Sequence, residues 1–180
     1  MLQRLFRPRP ARQIGASLFE AVTRQARQPA FYVDLGVPDT VEGRFELYSL
    51  HVILLLNRLR GQGGEAGEVG QALFDAYLRS LDDALRDLGV GDLSVGKKMR
   101  KLGEAFYGRA KSYDSALAGQ GGDLEALVGR TIFAESELAA KTQGPVGAVA
   151  AYVRRCQESL AAQSTDTLLS GEAHWAEIVS

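Results

Sequence analysis

Cysteine is nearly missing from this chain of 180 residues: Cys156 stands alone, which excludes an internal disulfide framework and a cysteine-based zinc site and suits a reducing compartment. It is expected as a small core residue. Histidine is almost as scarce. His51 and His174 are the two present, and neither has a carboxylate or Cys156 at metal-ligand or triad spacing. No stretch brings together a nucleophile, a base and oxyanion donors, so the residues predict no catalytic site, no metal and no cofactor. Long apolar runs are absent too. The longest, Leu47 to Leu56, is interrupted by Ser49 and His51 and closed by Arg58 and Arg60, far short of the ~20 residues that span a bilayer. A formal net charge of -1 excludes a global pull toward nucleic acid or membrane, so DNA is not an expected partner and any electrostatic partner must meet a local patch.

What is present is a helical pattern, with 46% hydrophobic and 24% charged residues in a length that suits one globular domain. Apolar residues recur at intervals of three and four, never two, and the expected class is all-α: a single-domain bundle of about six helices around a central apolar helix, Phe45 to Leu59. Ile14, Leu18, Phe19 and Val22 begin a first helix that should end before Pro29. FYVDLGVPDT reads as an irregular crossing, after which Asp39 and Glu42 form a capping-box arrangement. Gly61 to Gly70 is expected to be a mobile glycine-rich loop. Phe74, Tyr77, Leu78, Leu81, Leu85 and Leu88 form the stripe of the next helix, with Gly89 as its C-cap, and Val95, Met99, Leu102, Phe106, Ala110, Tyr113 and Leu117 that of the one after it. Asp123 caps a helix holding Leu124, Leu127, Val128, Ile132 and Leu138. A last long helix has Pro145 at its first position and Val146, Val149, Val153 and Leu160 inward. The domain is expected over 14–163, flanked by a flexible basic arm, 1–13, and a tail, 164–180, that Trp175 and Ile178 are suited to dock. The arm carries Arg4, Arg7, Arg9 and Arg12 without an acid, which suits anionic lipid or ribosomal RNA; lacking an apolar core, it is not a secretory signal.

GDLSVGKK, Gly91 to Lys98, comes one letter short of a phosphate loop, since Lys98 stands where Ser or Thr should hold magnesium. No strand precedes it. Gly89 and Gly91 are better explained as the bend between two helices, and Gly96 as allowing a close approach. The flanks differ in sign. Glu65 to Asp92 carries seven acids against Arg79 and Arg86, whereas Lys97 to Lys111 carries six bases against Glu104. A single-sign face joined to Phe106, Tyr107, Arg109 and Tyr113 has the composition of a protein interface. The candidate partner-binding residues are Lys97, Lys98, Arg100, Lys101, Tyr107, Arg109 and Lys111. Asp82, Asp83, Arg86 and Asp114 are candidates for pairing between the helices; Arg109, at the border of the stripe, either docks a partner or pairs with Asp82, Asp83 or Asp114. His51, on an apolar helix, is expected to be a hydrogen-bonded core residue.

Three blocks carry a family resemblance: SLHVILLLNRLR (Ser49 to Arg60), LDDALRDLGVGDLSVGKKMRKL (Leu81 to Leu102) and FYGRAKSYDSAL (Phe106 to Leu117). They resemble the ubiquinol-cytochrome c chaperone family, assembly factors of the cytochrome bc1 complex, and the likeness extends from about Tyr48 through Leu117. The resemblance implies an all-α, non-enzymatic protein that binds newly made cytochrome b, with a place near the ribosome exit and a peripheral association with the membrane. Without a long targeting extension the chain is similar to the alphaproteobacterial form, which implies a cytoplasmic protein at the inner face of the membrane. The competing expectation is a peripheral ribosome- or RNA-binding factor that uses the same basic face.

Overall fold

The computed structural model describes residues 11–119, 123–136 and 143–179, and every regular element among them is a helix. In chain order these are α1 (Ala11–Ala26), α2 (Pro29–Val33), α3 (Val41–Leu59), α4 (Gly64–Asp87), α5 (Asp92–Leu117), α6 (Leu124–Thr131), α7 (Gln143–Ala162) and α8 (Thr165–Leu169). Six have eight residues or more. The other two, α2 and α8, are five-residue segments. Arginines 4, 7 and 9 of the basic arm, the glycines of 120–122 and Leu138 lie outside the described residues.

Helix α3 occupies the centre because beyond its exposed first turn it is apolar nearly all round: Leu47, Leu50, Val52, Ile53, Leu54, Leu55 and Leu59 are all buried. Its start differs from the capping box expected at Asp39. Thr40 is the N-cap, its hydroxyl accepting the Gly43 N–H at 3.1 Å, while Asp39 pairs with Arg44 at 2.6 Å. Asp123 does cap α6, accepting the N–H groups of Glu125 and Ala126. FYVDLGVPDT is also more regular than expected: Pro29 supplies the fixed φ of a first helical position, and α2 runs through Phe31, which is buried. Pro145 is the third residue of α7, not the first.

The glycine-rich stretch 61–70 is the larger correction, since α4 begins at Gly64 and includes most of it. Glycine content lowers local helix propensity, but Ala66, Val69, Gly70 and Leu73 fall on one face and are buried, and that burial decides the conformation. Gly15 of α1 faces the same helix. A Cβ there would lie 2.6 Å from the backbone of Ala72 and Leu73, so its absence lets α1 and α4 cross with their backbones in contact. Gly96 has no such task, since nothing lies within 4 Å of where its Cβ would be.

Three buried polar groups on α3 point to three different neighbours. Ser49 Oγ and Tyr77 Oη of α4 are 2.7 Å apart. Glu46 meets α5, as described below. His51 Nδ1 faces the Leu47 carbonyl oxygen at 2.7 Å, which can only accept, so Nδ1 carries the proton and Nε2 accepts the Tyr152 hydroxyl of α7 at 2.7 Å. Gln25 of α1 donates in turn to Tyr152 at 2.9 Å. Burial lowers the pKa of His51 to about 4 against a smaller opposing effect of the Leu47 carbonyl, so the ring is neutral at physiological pH. Cys156 is buried beside this network and its thiol is pushed up by burial, which makes it an inert core residue.

Candidate functional site

Helices α4 and α5 form a hairpin whose two halves differ in their support. The half near the body is anchored. Arg109 forms a forked contact with Glu46 of α3, its Nε 3.0 Å from Oε2 and its Nη2 2.9 Å from Oε1. Glu46 is buried, and Arg109 has about a third of its side chain exposed. One turn further, Asp114 accepts from Asn57 at 2.6 Å and from Arg60 at 2.9 Å, both near the end of α3. The expected partners of Arg109 are therefore replaced by one that the charge blocks did not suggest. Glu46, the one carboxylate within the apolar stretch Phe45 to Leu59, was the available signal, because a buried acid requires a cation nearby.

The half away from the body packs thinly. Between Leu78 and Ala105 only Val95 is buried, so the stripes of both helices continue where their cover is only partial. Leu81, Leu85, Met99 and Leu102 are half-buried, Leu88 is 60% exposed, and Leu93 is fully exposed. At the bend, Gly89 takes a φ of 78° and donates to the Arg86 carbonyl at 2.8 Å, while Val90 donates to Leu85 at 3.0 Å. This C-terminal geometry is open to glycine and strained for other residues. The near phosphate loop is thus the bend of a helical hairpin. Arg86 links Asp82, at 2.7 Å in its own helix, to Asp92 across the bend. Asp83 is exposed and makes no ion pair among the described residues.

The basic residues face solvent on α5. Lys97, Lys98, Arg100, Lys101 and Lys111 are all exposed, and none has an acidic partner among the described residues. From Lys97 to Lys111 they extend over about 21 Å at the helical rise of ~1.5 Å per residue. Tyr107 lies on the same helix, 65% exposed, with its ring against Phe74 at 5.9 Å between centroids. Phe74 in turn meets Phe106 at 5.1 Å. Together with Leu56, Arg60 and Gly70 these rings line an open groove of about 380 Å³ between α3, α4 and α5. Sequence reasoning placed Leu88 on a covered stripe and left Leu93 out of account, because helical periodicity marks an apolar stripe without saying where its cover ends; both are exposed.

Among the described residues no helix is long and apolar enough to cross a membrane.

The sequence profile described as Ubiquinol-cytochrome C chaperone matches residues 33–175. The mouse protein named ubiquinol-cytochrome c reductase complex assembly factor 1 is 25% identical over 152 residues, covering 83% of this chain and 50% of its own length. Its Drosophila melanogaster counterpart is 24% identical over 167 residues, covering 89% of this chain and 63% of its own. The chain thus spans about half to three fifths of those relatives. A solved structure, the Cbp3 homolog from Brucella abortus, superposes with a TM-score of 0.83 at 33% identity and covers 99% of this chain and 98% of that one.

Proposed function

The chain belongs to the ubiquinol-cytochrome c chaperone family, and we propose that within it this protein is a non-enzymatic assembly chaperone of the cytochrome bc1 complex that binds newly made cytochrome b through the α4–α5 hairpin. The observation that carries the reading is the coincidence, on one hairpin, of exposed apolar residues with exposed bases that have no acidic partner among the described residues: Tyr107, Leu88 and Leu93 beside Lys97, Lys98, Arg100, Lys101 and Lys111. An immature membrane protein offers apolar segments that need cover and polar ends that need a charge partner, and such a surface meets both needs. Arg109 contributes indirectly. Its pairing with Glu46 holds α5 on the body, so it positions the surface without being part of it. We further propose that the protein works in the bacterial cytoplasm, with peripheral association at the inner face of the membrane through the same bases.

Lys97→Glu combined with Lys101→Glu is expected to abolish recovery of cytochrome b in a pull-down while leaving the helical circular dichroism unchanged. Capture at normal strength would remove this surface from consideration. A second reading, a ribosome- or RNA-binding factor, draws on the excess of bases over Glu104 on the exposed face. It predicts an affinity that falls steeply with salt, by close to one power of concentration per phosphate neutralised. Capture through apolar contact falls far less, so a salt titration of the pull-down separates the two.

A further inference from the structure

After α8 the chain continues as a segment, 171–179, without regular secondary structure, of which residues 174–177 lie along α7. Three side chains at intervals of four meet it: Arg155 and Ser159 on α7, and Gln163 just past its end. All three touch main-chain atoms of the segment. Gln163 grips the peptide groups of His174 from both sides, Nε2 donating to the carbonyl oxygen at 2.8 Å and Oε1 accepting the N–H at 2.9 Å. Ser159 Oγ donates to the same oxygen at 3.1 Å, and Arg155 Nη2 reaches the Glu177 carbonyl at 3.4 Å. Since 174 lies near 163 and 177 near 155, the segment runs antiparallel to the helix. Contacts to main chain give affinity for an extended peptide whatever its side chains, and pockets between them give selectivity. One side chain of the segment makes a ring contact: the Trp175 ring lies nearly perpendicular to that of buried His51, with centroids 4.8 Å apart.

The fit has a defined entrance and an incomplete seat. Gly171, with φ 88°, passes so close to α1 that a Cβ would lie 2.9 Å from that of Ser17, which fixes where the segment leaves the body. Beyond Glu172 no main-chain-to-main-chain hydrogen bond holds the segment, among the described residues. Trp175 Nε1 and Arg155 Nε are both buried without an acceptor. A row of side chains that reads backbone, a ring contact at His51, and the unmet donors of Arg155 and Trp175 describe a seat that a better-matched peptide can take.

We propose that the α7 face formed by Arg155, Ser159 and Gln163, with the His51 ring beside it, is a binding site for an extended polypeptide segment carrying an aromatic residue. The chain's own residues 171–179 occupy it as an intramolecular ligand, which an incoming segment of that chemistry displaces. The site stands on this geometry alone and is independent of client docking at the hairpin.

Trp175 is the sole tryptophan, so its emission reports the state of the segment. A labelled peptide of sequence GEAHWAEIVS is titrated into the chain ended after Ser170, with circular dichroism to establish that the shortened chain is folded. Saturable binding is expected, weakened by about tenfold or more when Gln163→Ala and Ser159→Ala are combined in the chain or Trp175→Ala is made in the peptide. In the intact chain, an excess of unlabelled peptide carrying Trp175→Phe should shift the Trp175 emission to the red; this measurement decides the matter if the shortened chain does not fold. A folded shortened chain that does not bind, binding indifferent to these substitutions, or an unmoved emission in the intact chain overturns the proposal. So does an intact dimer that becomes monomeric on shortening, since the segment would then sit on a neighbouring copy.

Discussion

Glu46, Ser49 and His51 lie among leucines on the central helix, and each is satisfied by a different neighbouring helix. Such groups are costly when unmatched, so they penalise any packing of α3 that rotates it away from those partners. Arg109→Leu leaves the buried Glu46 carboxylate alone and is expected to cost about 2–3 kcal/mol, below the ~3–5 of a fully buried pair because the guanidinium is partly solvated. Chemical denaturation measures this. Adding Glu46→Leu should recover most of the loss, and a double variant as unstable as the single one would show that the pair is not the cause. His51 gives stability a pH dependence. Its folded pKa is depressed to about 4 by burial, so the unfolded chain takes up the proton first. The His51 contribution is complete above the unfolded value of ~6.5 and is lost as pH falls toward 4, by an amount on the order of 3 kcal/mol. Urea titrations at several pH values should show this slope, and His51→Gln should flatten it while lowering stability near neutrality.

Elements in this fold are decided by which face is covered. Helix α4 starts inside a glycine-rich stretch because Ala66, Val69 and Leu73 are covered there, and its end protrudes because Leu81 and Leu85 are only half covered. Two glycines test the distinction. Gly15→Ala places a methyl group against the backbone of Ala72 and Leu73 and is expected to destabilise by about 1–3 kcal/mol through overpacking. Gly103, inside α5, has nothing within 4 Å of its Cβ position, so Gly103→Ala should stabilise by about 0.5–1 kcal/mol by raising helix propensity. Thermal unfolding of the two variants should shift in opposite directions. Equal shifts would mean that the α1–α4 contact is looser than the backbone approach implies.

At the scale of the molecule, a well-packed body centred on α3 carries a hairpin whose outer half has little cover. Local opening follows cover. Amides in residues 80–104 are expected to exchange with solvent faster than those in α3, as hydrogen-exchange mass spectrometry would record; equal protection would mean that the outer half folds as one unit with the body. The anchors at Glu46 and Asp114 keep the base of the hairpin in place.

Much of this architecture was legible in the residues. The three-and-four spacing, the punctuation by Pro29 and Gly89, the Asp123 cap and the leucine density of α3 are local signals, and they specify an all-helical chain with a buried centre because backbone conformation and sidedness are short-range properties. The basic face of α5 and its bend were legible for the same reason. Tertiary structure alone decided that Arg109 belongs to Glu46, 63 residues away. It also decided that Gly64 is helical, that Leu88 and Leu93 are left outside, and that Gln163 holds the chain's own tail. Each of these depends on which distant segment arrives to cover or to pair, and one-dimensional spacing carries no record of that.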